Sequence, residues 1–370
     1  MTHMVESHLF LTHSPLSIMD FSLAKNNSTE LQMLDSASLY VIAKREMPLF
    51  SINKERSSTE LIALNVALKK TGAKLQIYIP TEGNEKYALE GFAGINGLSK
   101  RADFLNTDTE RTLNEYYISE TTDSVLSSLE FEAFEIYAYE KSGDESAIKV
   151  TCALNFNELI YYASHGYLYV TFYGDLSPFI TYDVLYIGQC TGEPLTKRFN
   201  GHHALQDILI KEKAISPDMR NSEELVLMPF RSEVNTISVL TGNTSEEDFI
   251  KAFTNNFSFG IKDINLDCEK ALVHGMLPVY NKIKFEKYPE SKDGLHGTEA
   301  EVYAYSICEE IILKYKDGMV YGNVEPALAS MIVGDKSGFA HIYMPGENFT
   351  QKYVEEMFPY PPYVNNMKEY

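Results

Sequence analysis

Two charged residues in this chain, Arg198 and Glu269, occupy positions where a charge needs a chemical reason. Glu269 shares a helical face with the apolar residues Leu272 and Met276. A carboxylate on an apolar face is costly unless it is paired with a cation or binds a metal ion. Arg198 is permanently charged and needs a partner for the same reason. The sequence therefore indicates either a metal site at Glu269 or a structural ion pair between Glu269 and Arg198.

The predicted helices determine where these residues lie. The segment from Glu193 to about Lys213 has the apolar pattern of a helix, and it places Arg198 and His202 one turn apart on the apolar stripe. Two structural alternatives stay open here. Arg198 could extend its charged end to solvent from the edge of the stripe, and His202 could be a hydrogen-bonded core histidine. The helix of Glu269 ends before Pro278, because the residue before a proline disfavours helix.

Two strands are predicted before the Arg198 helix, namely Leu168–Phe172 and Val184–Ile187. Turn-forming residues separate them, so the sequence predicts that the two strands form a hairpin. Tyr169 and Tyr186 lie on these strands, and tyrosine is also an ordinary strand residue. Gly188 ends the second strand.

In this order the pieces resemble the GIY-YIG nuclease superfamily. Tyr186-Ile187-Gly188 matches the second motif, Arg198 the helix arginine, Glu269 the metal ligand and Asn281 the final asparagine. The spacing of Arg198 and His202 is similar to that of the restriction-endonuclease branch. The first motif departs from the family pattern, and its nearest text is Tyr167-Leu168-Tyr169, with Tyr173 as a competitor for its tyrosine. The resemblance covers roughly residues 160–285.

The resemblance implies a fold, a reaction and a role for each residue. The fold is α/β (α+β), with a small antiparallel sheet flanked by helices. The reaction is hydrolysis of nucleic-acid phosphodiester bonds with one divalent ion, Mg²⁺ or Mn²⁺, and DNA is favoured over RNA as substrate. The implied roles are metal binding by Glu269, phosphate binding by Arg198, activation of water by Tyr169 or Tyr186, proton transfer or phosphate binding by His202, and positioning by Asn281. The resemblance also implies a biological setting, which is bacterial defence or mobile-element biology.

Three segments are predicted around this core. Residues 1–150 form an N-terminal α/β accessory domain, 151–290 the nuclease-like domain and 291–370 a C-terminal extension. Residues 1–35 are expected to be irregular, and Ser222–Glu247 and the chain after Pro289 are expected to be additions to the core. Predicted strands are Ala37–Ala43, Lys74–Ile79, Phe131–Glu140 and Ala147–Ala153, and a predicted helix runs from Ser58 to Lys70.

The formal net charge of −20 argues against a surface that grips duplex DNA without local basic clusters. A nucleic-acid enzyme with this charge must concentrate its Lys and Arg residues, act with a basic protein partner, or cut a small substrate. Two alternatives follow. The chain could be a catalytically inactive GIY-YIG-like module that binds a protein partner, or an unrelated α/β protein with a buried ion pair. The oligomeric state is open.

The compartment is expected to be cytoplasmic. The four cysteines are scattered, with no C-x-x-C pair, which is typical of reduced thiols rather than a disulfide scaffold or zinc ribbon. No apolar run approaches the ~18 residues of a membrane span, and the N-terminus lacks the features of a signal peptide.

Overall fold

The computed structural model describes residues 2–57, 61–80, 130, 132–142, 145–199, 203–212, 223–239, 244–254, 257 and 259–345. The helices are α1 (Ile18–Ala24), α2 (Ser28–Asp35), α3 (Phe156–Ser164), α4 (Leu195–Arg198), α5 (His203–Lys211), α6 (Glu246–Thr254) and α7 (Ile261–Met276). The strands are β1 (Thr2–Leu11), β2 (Leu16–Ser17), β3 (Leu39–Glu46), β4 (Leu49–Ile52), β5 (Leu61–Ala67), β6 (Lys74–Pro80), β7 (Ala133–Ser142), β8 (Glu145–Asn155), β9 (Thr171–Tyr173), β10 (Thr181–Gln189), β11 (Glu223–Val239), β12 (Ala300–Ile307), β13 (Ile312–Tyr315), β14 (Gly318–Tyr321), β15 (Met331–Asp335) and β16 (Ala340–Tyr343).

Ten of these strands form one large mixed sheet. The order is β14-β13-β10-β3-β11-β1-β12-β15-β16, and β2 pairs with β11 beside this path. The long strand β11 pairs antiparallel with β3 through its first half and with β1 through its second. The pairs β1–β12 and β10–β13 are parallel. The mixed α/β class is therefore confirmed, with a sheet much larger than the expected one.

Helix α7 fills the inside of the large sheet, which is nearly closed around it. Its residues Ile264, Cys268 and Leu272 are buried in one core with side chains from most strands of the sheet. The other face of β3 and β10 is covered by α1, α2, α4 and α5 in a second core. A separate four-stranded sheet, β4-β5-β6-β9, packs with α3, and β7 and β8 form a two-stranded ribbon.

The predicted hairpin of Leu168–Phe172 with Val184–Ile187 is wrong. Strand β9 begins only at Thr171 and pairs with β6 in the four-stranded sheet. Strand β10 instead pairs antiparallel with β3, which lies far upstream in the chain. The turn residues after β9 end that strand, but turn chemistry alone does not decide which strand becomes the neighbour.

The predicted helix from Ser58 to Lys70 is also wrong where the structure describes it, because Leu61–Ala67 is strand β5. Ile62, Leu64 and Val66 are buried at alternate positions, which is the period of a strand. Strands β4 and β6 flank β5 on both sides, and this pairing outweighs the helical propensity of the leucines and lysines.

The regions expected to be irregular or peripheral contribute to the large sheet. Residues 1–35 contain β1, β2 and two helices, Ser222–Glu247 contains all of β11, and the chain after Pro289 contains β12 to β16. The sheet thus takes strands from all three predicted segments. The predicted strands near Ala37–Ala43, Lys74–Ile79, Phe131–Glu140 and Ala147–Ala153 are confirmed, as is the helix of Glu269.

Candidate functional site

The pairing of β3 with β10 brings two tyrosines together. In this register Tyr40 lies opposite Gly188 and Ile42 lies opposite Tyr186. Since residues two apart on a strand share a face, Tyr40 and Tyr186 project from the same side of the sheet. Their rings stack with centroids 5.9 Å apart, and a hydrogen bond joins their hydroxyl groups.

Gly188 is required by the position of the Tyr40 ring. A Cβ atom on Gly188 would lie 2.5 Å from Cζ and Oη of Tyr40 and 2.9 Å from Cε1 of Tyr186. These distances are far inside van der Waals contact, so any side chain would displace the ring pair. The glycine after Tyr186-Ile187 therefore serves the close approach of Tyr40.

Arg198 reaches this pair from helix α4. Its neighbours Leu195 and Phe199 are buried, and the Phe199 ring packs edge-on against Tyr40 at 5.1 Å. These anchors fix the short helix and direct the Arg198 side chain towards Tyr40, to which it donates a hydrogen bond. The Nε atom of Arg198 is buried and has no hydrogen-bond partner. A buried guanidinium N–H without a partner can accept an anionic ligand.

Glu269 approaches from helix α7. It is partly buried, and burial raises the pKa of its carboxyl group to about 7, although the nearby charges of Arg198 and Lys270 oppose the shift. Within the described part of the chain, Glu269 makes no hydrogen bond or ion pair of its own. The direct ion pair with Arg198 is thus not formed, and the two charges interact at longer range.

The two buried charged residues of α7, Asp267 and Lys270, have structural partners. Asp267 is fully buried and accepts hydrogen bonds from the hydroxyls of Tyr288 (3.0 Å) and Tyr305 (2.7 Å) and from the Leu295 amide (3.1 Å). Lys270 is buried and contacts the Asp293 carboxylate at 2.5 Å. These contacts hold the following loop on α7. They leave Glu269 as the carboxylate of this helix that is available to a ligand.

Asn281 fixes the neighbouring segment to β10. Its side-chain amide donates to the Ile187 carbonyl at 2.7 Å, and its oxygen accepts from the Ile187 amide at 2.9 Å. The preceding residue, Tyr280, donates its own amide to the Leu185 carbonyl at 3.0 Å. Asn281 is buried and its polar groups are used by this clamp. It therefore positions the strand that carries Tyr186.

Tyr169 and its competitor Tyr173 are not part of this cluster. Tyr169 lies in a loop between α3 and β9 and is 45% exposed, while Tyr173 lies at the end of β9 in the four-stranded sheet. His202 is outside the described residues. The cluster therefore contains Tyr186, Arg198 and Glu269 from the predicted set, with Asn281 behind them.

Tyr40 is the residue that the sequence analysis missed. The sequence predicts its strand correctly, but the resemblance places the first tyrosine at Tyr169, directly upstream of Tyr186. The signal in the sequence was Leu39-Tyr40-Val41-Ile42, a tyrosine followed by two β-branched residues. Since residues 47–180 separate the two strands, sequence proximity gave no hint of their pairing.

Cys190 lies beside the cluster but is not a nucleophile. It is buried, and burial raises the pKa of its thiol to about 12. A thiol that stays protonated at neutral pH is a poor nucleophile and metal ligand. Among the described residues, no group of three or more His, Cys, Asp or Glu side chains is placed to hold a metal ion.

Comparison of this chain with protein-family models, with curated proteins and with solved structures gives no match. None of the described helices combines the length and apolar character needed to cross a membrane.

Proposed function

We propose that this protein is a metal-dependent endonuclease that hydrolyses phosphodiester bonds of nucleic acid, with DNA favoured over RNA. The observation that carries the proposal is the meeting of Tyr40, Tyr186, Arg198 and Glu269 from four separate elements. Within this cluster, the Glu269 carboxylate and the Nε atom of Arg198 have no protein partner among the described residues. An unpaired carboxylate within electrostatic range of an unpaired guanidinium N–H suits a cation and a phosphate bound in one site.

The arrangement also supports the finer proposal of a GIY-YIG type of site. The paired strands β3 and β10, the arginine on α4 and the glutamate on α7 follow the motif order of that family. In this proposal Tyr40 takes the place expected for Tyr169, and residues 47–180 are an insertion between the first two motifs. Tyr40 lies on the strand paired with β10, whereas Tyr169 does not.

The residues of the cluster fit a divalent cation of the magnesium type. Mg²⁺ and Mn²⁺ bind hard oxygen ligands, and Mg²⁺ commonly uses one or two carboxylates together with water and substrate phosphate. Glu269 supplies one such carboxylate, and no thiol or neutral imidazole ligand is required. Bound at Glu269, the ion would supply charge neutralisation at the phosphate and at the leaving 3′ oxygen.

The chain's own residues would bind and orient the substrate. Arg198 would direct its free Nε–H at a non-bridging phosphate oxygen and offset charge that develops in the transition state. Burial raises the pKa values of Tyr40 and Tyr186, so both hydroxyls stay protonated at neutral pH. They would therefore orient the attacking water and the phosphate by hydrogen bonds rather than act as phenolate bases.

The test is a cleavage assay with the Glu269→Gln variant. Wild-type protein is incubated with plasmid, single-stranded DNA and RNA in Mg²⁺ or Mn²⁺, and we expect cleavage that a chelator abolishes. The variant should be slower by roughly 10³-fold, since metal binding contributes several kcal/mol to such reactions. Glu325→Gln, which removes an exposed carboxylate outside the cluster with the same charge change, is the control. Equal cleavage by Glu269→Gln and wild type would contradict the proposal.

A second candidate function rests on the net charge of −20. In this alternative the chain does not cleave nucleic acid. It is a GIY-YIG-like binding or scaffold module that acts with a protein partner, for example a basic protein. Folded wild-type protein that binds nucleic acid or a partner but cleaves none of the three substrates would favour this alternative.

A further inference from the structure

The loop that follows Asn281 is attached to the candidate site at both ends. At its start, Asn281 is clamped to Ile187, next to Tyr186. At its end, Asp293 contacts Lys270, the residue after Glu269. The charges of Lys270 and Asp293 both influence the Glu269 carboxyl group, so this end of the loop is close to the proposed metal ligand.

This loop and Lys270 line an open groove of about 510 Å³. We call it the lysine groove, and its basic residues are Lys270, Lys282, Lys284, Lys287 and Lys292. Lys282, Lys287 and Lys292 are exposed and form no ion pair with any described residue. Glu286, Glu290 and Asp293 also line the groove, and Asp293 is paired with Lys270.

The lysine groove differs in charge from the chain as a whole. Between residues 282 and 292 there are four lysines and two glutamates, which gives 4 − 2 = +2. The complete chain carries −20. A protein of this charge that binds nucleic acid needs its cations concentrated where the phosphates lie. The lysine groove meets that requirement on the side of Lys270 and Asp293, whose charges influence Glu269.

We infer that the lysine groove binds the phosphate backbone of a nucleic-acid strand on one side of the scissile phosphate. This inference rests on the proposed nuclease function. Exposed lysines act as point charges that release counterions from a phosphate backbone, and they carry little sequence information. The groove therefore contributes affinity and strand position, while cleavage depends on the cluster of Tyr40, Tyr186, Arg198 and Glu269.

The test compares two triple variants with the same loss of charge. In one, Lys282, Lys287 and Lys292 are replaced by Gln; in the other, the exposed residues Lys54, Lys69 and Lys316 are replaced by Gln as the control. Binding of labelled single-stranded DNA is measured over a range of salt concentrations in the Glu269→Gln background. Cleavage is measured with Glu269 intact.

We expect the groove variant to bind at least about tenfold more weakly at low salt. Its salt slope should fall by roughly two units, since each lost phosphate contact removes about 0.7 for a single strand. The control variant should match its parent. Equal affinity and slope for both variants would overturn the groove inference even if the wild type cleaves DNA. Displacement of the DNA by millimolar inorganic phosphate would also overturn the groove inference, because such displacement indicates that the groove binds free phosphate.

The nuclease proposal and the groove inference fail in different ways. If the wild type cleaves no substrate but binding still depends on the groove lysines, the proposed reaction is wrong and the groove stands as a nucleic-acid site.

Discussion

Glu269 differs from the two buried charged residues of its helix, Asp267 and Lys270, in having no structural partner among the described residues. Asp267 accepts three hydrogen bonds and Lys270 contacts Asp293, so their burial is explained by the fold. Glu269 is partly buried without such contacts, and its pKa is raised to about 7. A charged, partly buried carboxylate without a partner lowers the stability of the metal-free protein, and a bound cation would offset that loss.

This cost gives a pH-dependent prediction for the free energy of unfolding. The pKa of Glu269 is raised from 4.5 in the unfolded chain to about 7 in the folded protein. The protonated carboxyl group therefore adds to the free energy of unfolding, fully below pH 4.5, and this addition is lost as the pH rises through about 7. Without metal, Glu269→Gln should exceed wild type in stability at pH 8 by on the order of 1 kcal/mol, a value reduced for partial exposure. The two proteins should be equal near pH 4.

Urea unfolding at both pH values measures this difference, and added Mg²⁺ should stabilise the wild type alone. Glu286→Gln, on an exposed loop, should show no such pH dependence. A wild type more stable than Glu269→Gln at pH 8 in the absence of metal would show that Glu269 has a structural partner after all.

At the scale of elements, the β3–β10 pair determines the site. The two tyrosines stack because the register places Tyr40 over Gly188, and Asn281 secures the other edge of β10. Helix α4 is too short to be stable alone and depends on the burial of Leu195 and Phe199. The geometry of the site is therefore a property of packing between elements.

Gly188→Ala tests that packing directly. The added Cβ would lie 2.5 Å from the Tyr40 ring, so the ring must move and its contact with Arg198 is disturbed. We expect a loss of stability of about 1–3 kcal/mol, as for other overpacked sites, together with a loss of cleavage. Gly297→Ala is the matched control, since nothing lies within 4 Å of its Cβ position. Thermal unfolding and cleavage of Gly188→Ala that match this control would contradict the described ring packing.

The sequence predicts individual strands and helices better than it predicts their pairing. Strands with runs of β-branched and aromatic residues, such as β3, β6 and β10, are recognisable because their pattern is local. Helix α7 is recognisable for the same reason. Pairing is not local, and the hairpin assumption failed because β3 lies before residues 47–180 and β10 after them. Tyr40 is absent from the predicted site because the pairing of β3 with β10 was not predicted.

At the scale of the whole molecule, one sheet unites segments that the sequence separates. Strands from the first 50 residues, from β10 and β11, and from the last described part of the chain pair into the nearly closed sheet around α7. The same sheet carries Tyr40 on β3 and packs against α7, the helix of Glu269, so it sets the positions of both residues. Arg198 and Glu269 stand out in the sequence because each departs from the apolar pattern around it, and Asn281 stands out only through the resemblance to the family motif. The tyrosine that completes the cluster required the fold.

The most direct test of the account compares Tyr40→Phe with Tyr169→Phe in a Mg²⁺-dependent cleavage assay. Both changes remove one hydroxyl group, but only the Tyr40 hydroxyl interacts with Arg198 and Tyr186, while Tyr169 is exposed in the loop before β9. We expect cleavage by wild type and Tyr169→Phe at equal rates and a loss of roughly 10²-fold in Tyr40→Phe, typical of removing one oriented donor. Unchanged cleavage by Tyr40→Phe, or an equal loss in both variants, would contradict it.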